Sequence, residues 1–330
     1  MLKLFKTNIA IIPAALILFI MVFLRIDVIV SGFFVNNWQN NLAPYSKLYY
    51  YVLGESLVLN TTFNMLLSGV IIFVQSGIVI SILSLFKSKI YTFLPAWGFI
   101  LLMHLFPEYT FVSPPMLSFI FLLLAIRKLV LLTENGKQRK YIFEIGLFLG
   151  ISTLFWLPSF LFIIVFLFFL NMSSMINLKT IVSIIFTFFI PFLYVFAYYK
   201  FFSVEQSMIP IFDSLSFNQF DIKFYPINQL LSAITTFVMF IFSTIVIANY
   251  FDKELRAFKD FLLFIFFFVI NVFIVLIFQN ENSFSVMIFL FFPLAIIFGL
   301  FFNRIKRKLL AEFAHLILLL TIIINFMYFT

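Results

Sequence analysis

The sequence predicts an all-α membrane protein: a polytopic transmembrane helical bundle of about 11 spans in one domain over residues 1–330. The N-terminus is expected in the cytoplasm and two long connections on the outer side. Three observations carry this. First, 64% of the 330 residues are hydrophobic and 10% charged, with 55 Phe and a mean hydropathy of +1.18, against roughly 45–50% apolar and 25% charged in soluble domains. A span uses about 20 apolar residues, so the apolar complement is enough for about ten or eleven. Second, the apolar stretches run unbroken instead of alternating, the pattern of helices and not of barrel strands. Third, Lys and Arg are unevenly shared between the connections, which orients the bundle.

The expected spans are 9–26, 63–86, 90–106, 115–132, 141–157, 158–172, 180–199, 228–250, 261–279, 284–302 and 313–329. The first follows Lys3 and Lys6, is longer than a secretory apolar core and has no Ala-x-Ala site after it, so it is expected to stay as an anchor. The second and third are joined by a short link holding Lys87 and Lys89, and the third ends in His104-Leu105-Phe106-Pro107-Glu108. The fifth and sixth are short and must be joined by a tight outer turn at Trp156-Leu157-Pro158. The seventh closes on Tyr198-Tyr199-Lys200, and Pro191 and Pro293 are placed to break the seventh and tenth.

With the N-terminus inside, 17 of the 21 Lys and Arg fall on the cytoplasmic side, leaving Arg25, Lys47, Lys200 and Lys223 outside. The acids divide about evenly, as expected when Lys and Arg alone orient the chain. The net charge of +8 is therefore a topology signal and does not point to nucleic acid. Without cysteine there is no disulfide, thiolate metal site or thiol nucleophile. Inner connections are too short for a nucleotide-binding domain, and Thr133–Arg139 lacks the spacing of a phosphate-binding loop. The two longest connections, 27–62 and 200–227, both face outward. The first, with Trp38, Pro44 and Tyr49-Tyr50-Tyr51, suits short helices lying at headgroup depth.

The most informative chemistry is at the outer ends of the first and third spans, where Arg25 and Asp27, and then His104 and Glu108, fall near the outer interface in the expected topology. An outward carboxylate beside a lipid headgroup can take a proton from an acceptor hydroxyl while a cation holds a phosphate leaving group. Asp27 and Glu108 are the candidate catalytic acids; Arg25, His104 and Lys200 are the candidate lipid-phosphate contacts. The plainer alternatives are a helix-end ion marker for Arg25 and Asp27, a histidine held by a backbone carbonyl for His104, and a snorkelling lysine for Lys200. Glu205, Asp213 and Asp221 lack metal-ligand spacing. Gln75, Asn171, Asn249, Asn271 and Asn325 are expected to hydrogen-bond between helices, and Glu144 to pair with Arg139 or Lys140.

The order of parts, an anchor helix followed by Asp27, a long outer loop, Glu108 after the third span, the run Gly146-Leu147-Phe148-Leu149-Gly150-Ile151-Ser152-Thr153-Leu154 and a second long outer loop, resembles the GT-C superfamily of membrane glycosyltransferases. The resemblance covers 1–227, with 228–330 in the region that varies in that family. It implies a polyprenyl-phosphate-linked sugar donor at the outer face, Asp27 as base or positioner and Glu108 as helper. No Asp-x-Asp pair occurs in the first loop, and no cofactor is expected, a divalent metal having no support from spacing. The chain also resembles an uncharacterised family of Bacteroidota polytopic inner-membrane proteins. Carotenoid cleavage is excluded, because it needs iron held by four histidines and this chain has only His104 and His315, expected about a bilayer apart. The expected place is thus the bacterial inner membrane. A non-enzymatic subunit binding partners in an envelope complex stands second, and a lipid or small-solute transporter third.

Overall fold

The computed structural model describes residues 61–86, 93–135, 139–201, 227–248, 256–277, 286–305 and 308–329. The expected first span and nearly all of the connections 27–62 and 200–227 lie outside the described residues. These residues are 94% helical and contain no strand. Their α-helices are α1 (Thr61–Ser84), α2 (Phe93–Leu105), α3 (Pro114–Asn135), α4 (Arg139–Phe155), α5 (Phe162–Met172), α6 (Leu178–Phe201), α7 (Ile227–Ala248), α8 (Arg256–Ile277), α9 (Ile288–Arg304) and α10 (Lys308–Phe329). Short 3-10 helices at Pro107–Thr110 and Leu157–Leu161 join α2 to α3 and α4 to α5.

Each expected apolar stretch from the second onward is occupied by a helix. Five are long and apolar enough to cross a membrane: Thr62–Ser84, Pro114–Glu134, Leu178–Tyr198, Leu230–Ala248 and Arg256–Leu276. The chain alternates in direction. Phe86 of α1 meets Phe258 and Phe261 at the start of α8. Phe106 after α2 stacks on Phe291 near the start of α9, while Pro95 near the start of α2 lies against Gly299 late in α9.

The two short helices α2 and α9 form the centre. Every side chain from Leu94 to Leu105 and from Ile288 to Phe302 is buried, as expected of helices apolar on all sides. The long helices α6 and α7 are mostly exposed along their length. In lipid, burial of apolar surface gives little drive for helix association, so packing must do it. Phe supplies that packing. A seam of rings runs from Phe261 through Phe264 and Phe268 to Phe162 and Phe289, with Trp156 stacked on Phe289 at 4.9 Å, each pair worth about 0.5–1.5 kcal/mol beyond its area.

Glycine brings α4 and α6 together. A Cβ on Gly146 would stand 2.5 Å from the Ile184 carbonyl and run into the Thr187 hydroxyl, and one on Gly150 would run into the Phe188 carbonyl. Gly146 and Gly150 are four residues apart on one face, the small-residue pattern of close membrane-helix contacts. The tight connection expected at Trp156-Leu157-Pro158 is a short 3-10 helix, Leu157–Leu161, with Trp156 and Leu157 buried. Two expectations need correction. Pro191 and Pro293 lie inside continuous helices and break neither. Glu144 pairs with Lys128 of α3 at 2.6 Å, across the helix pair instead of with its sequence neighbours.

Candidate functional site

The turn carrying Glu108 begins where α2 ends. The last carbonyls of a helix lack partners within it, and an unsatisfied one away from water costs several kcal/mol. Here the Leu105 carbonyl accepts from Ser232 Oγ of α7 at 3.0 Å and from Asn325 Nδ2 of α10 at 2.7 Å. Asn325 also bonds Ser232 Oγ. Further along, the Thr110 carbonyl accepts from Ser68 Oγ, and the Val112 N–H donates to Asn64 Oδ1 at 2.7 Å, both partners being on α1. Gln75 Nε2 then donates to the Met116 carbonyl at 2.8 Å at the start of α3.

The same turn is sealed by apolar side chains. Phe106, Tyr109, Phe111 and Val112 are buried, and the Tyr109 ring meets Phe291 edge-on at 5.2 Å. The Leu157–Leu161 turn at this end is built alike. Ser152 Oγ donates to the Ser118 carbonyl at 3.0 Å and contacts Ser159 Oγ, and Asn271 Nδ2 of α8 donates to the Leu161 carbonyl at 3.2 Å. Side-chain amides and hydroxyls thus meet the backbone at both of these turns.

Of the five candidate residues, Arg25 and Asp27 lie outside the described residues. Glu108 has its backbone in the second position of the Pro107–Thr110 helix. His104 is 6% exposed, and its Nδ1 donates to the Ile100 carbonyl of its own helix at 2.8 Å, the carbonyl-held arrangement weighed above. Lys200 is exposed at the last turn of α6. Among the described residues no group of three or more His, Cys, Asp or Glu could hold a metal ion.

The two histidines are not a bilayer apart. Trp97 Nε1 donates to His315 Nε2 at 2.7 Å, and Trp97 stands only seven residues before His104 on α2, about 10 Å along the axis. His315 accepts at Nε2, so it is a neutral ring carrying its proton on Nδ1.

Three of the five expected interhelical hydrogen-bonders, Gln75, Asn271 and Asn325, make such bonds. Asn171 is exposed at the end of α5, and Asn249 lies outside the described residues. Ser232, Ser68 and Asn64 were not legible as partners of the turn. A lone Ser or Asn in an apolar run gives the same signal whether it faces a broken backbone or caps its own helix.

Comparison with family models, with curated proteins and with solved structures gives no match. Fold and composition define the class: an all-helical chain, among whose described residues five helices are long and apolar enough to cross a membrane.

Proposed function

We propose that the protein is a multi-pass, inner-membrane member of the GT-C-like class that transfers a sugar from a polyprenyl-phosphate-linked donor at the outer face. Asp27 is the base or positioner, Glu108 its helper, and Arg25, His104 and Lys200 the contacts to the lipid phosphate. The bundle has about 11 spans in this reading, with the Glu108 turn at the outer face.

The observation that supports it is the anchoring of the Glu108 turn by Asn64, Ser68, Ser232 and Asn325, drawn from three helices. A catalytic group acts only from a backbone held within a fraction of an ångström of its working position, and these bonds hold the turn in that way. Membranes carrying Asp27→Asn at the wild-type level should lose sugar transfer from the polyprenyl-phosphate donor. Unchanged transfer would remove Asp27 from the mechanism.

A second reading, a non-enzymatic subunit of an envelope complex, is favoured by one observation: the His104 ring is buried and bonded to its own helix. Purification from native membranes with a stoichiometric partner, the partner staying bound after Asp27→Asn, selects this reading. Transport stands third, since Pro191 and Pro293 leave their helices continuous.

A further inference from the structure

At the end of the bundle opposite the Glu108 turn, α3 carries two adjacent cations in different circumstances. Lys128 Nζ lies 2.6 Å from Glu144 Oε2 and 5.8 Å from the centroid of the Tyr141 ring. Arg127 has no such partner: its Nε is buried and without a hydrogen bond among the described residues. Arg127 lies about 12 Å inside the Asn135 end of the helix, within the stretch long and apolar enough to cross a membrane.

A guanidinium at such depth is costly unless an anion meets it. Arg127 also belongs to a partly buried stripe, Leu117, Ile120, Leu124, Arg127 and Leu131, spaced by three and four residues so that they share one face. The stripe is apolar over most of its length and cationic near one end. That is the complement of a phospholipid, with acyl chain along the leucines and phosphate on the guanidinium. Glu144 neutralises Lys128 and leaves the charge to Arg127.

We propose that this face of α3 binds the phosphate headgroup of an anionic phospholipid, with Arg127 as its ligand and Glu144 limiting the affinity by withholding Lys128. The proposal rests on the reading of the chain as membrane-embedded and is independent of sugar transfer.

The test is native mass spectrometry of the whole protein in mild detergent, titrated with phosphatidylglycerol or phosphatidylcholine. Wild type should retain one phosphatidylglycerol in preference to phosphatidylcholine. Arg127→Gln should weaken that retention about fivefold, the worth of one basic group at a lipid surface, while Arg127→Lys keeps it. Glu144→Gln should tighten it by freeing Lys128, a gain that misfolding cannot imitate. Millimolar inorganic phosphate should leave the lipid in place. Equal retention by wild type and Arg127→Gln, no tightening in a folded Glu144→Gln protein, or displacement by inorganic phosphate would each overturn the proposal.

Discussion

The two ends of the bundle solve the same problem by different chemistry. At the Glu108 end the chain leaves its helices inside the packed structure, and neutral side chains from distant helices satisfy the released carbonyls: Ser232 and Asn325 at Leu105, Ser68 at Thr110, Asn271 at Leu161. At the Lys128 end an ion pair and ring contacts join helices, Lys128 with Glu144 and Tyr141 and Trp97 with His315, beside local neutral bonds such as Thr180 to Asn177 and Thr133 to Val130. Neutral amides fix a backbone in place without the desolvation penalty of a buried charge. The Lys128–Glu144 pair instead joins α3 to α4 with both side chains partly exposed. One end is therefore held by neutral bonds to a broken backbone, and the other carries an ion pair between two helices.

Between the two ends, the α4–α6 contact must hold both in register, and breaking it should have the largest effect. Gly150→Leu places a side chain where the Phe188 backbone already sits, so we expect a loss of about 3 kcal/mol or more, read as unfolding at lower denaturant or as loss of the monodisperse protein. Next comes the clamp. Asn325→Leu removes donors to Leu105 and Ser232 and should cost about 1–2 kcal/mol in reversible unfolding, and Ser232→Ala should add less in that background than alone.

These residues also show what was legible. Long apolar runs locate helices because a span needs length and composition alone, and Asn325, Gln75 and Asn271 stood out because an amide is expensive in lipid. The partners of those amides did not stand out: Leu105 and Leu161 offer backbone carbonyls, which no residue type announces. Glu144 was assigned to its sequence neighbours because spacing along one helix is visible in the sequence, whereas the facing Lys128 becomes visible only once α3 and α4 pack. The candidate site was less legible still, since Asp27 and Arg25 fall outside the described residues and an acid at a helix end has no pattern that distinguishes catalysis from topology.

The remaining effects are smaller. Trp97→Phe deletes the donor to His315 while keeping an aromatic ring, and should cost about 1 kcal/mol in the same unfolding assay. Glu144→Gln should change stability by no more than about 1 kcal/mol, because the ion pair is partly exposed, at 18% and 23% for its two side chains. Salt should reduce the difference between wild type and Glu144→Gln and leave the Asn325→Leu difference unchanged, which separates the ionic end from the neutral one.

The central claim is that the Glu108 end faces outward and the Lys128 end the cytoplasm, and because the chain has no cysteine, a single introduced thiol reports its own side of the membrane. In intact cells a membrane-impermeant maleimide should label Trp38→Cys directly and Arg307→Cys only after permeabilisation. Labelling of both from the same side would contradict the orientation, and outer-face sugar transfer with it.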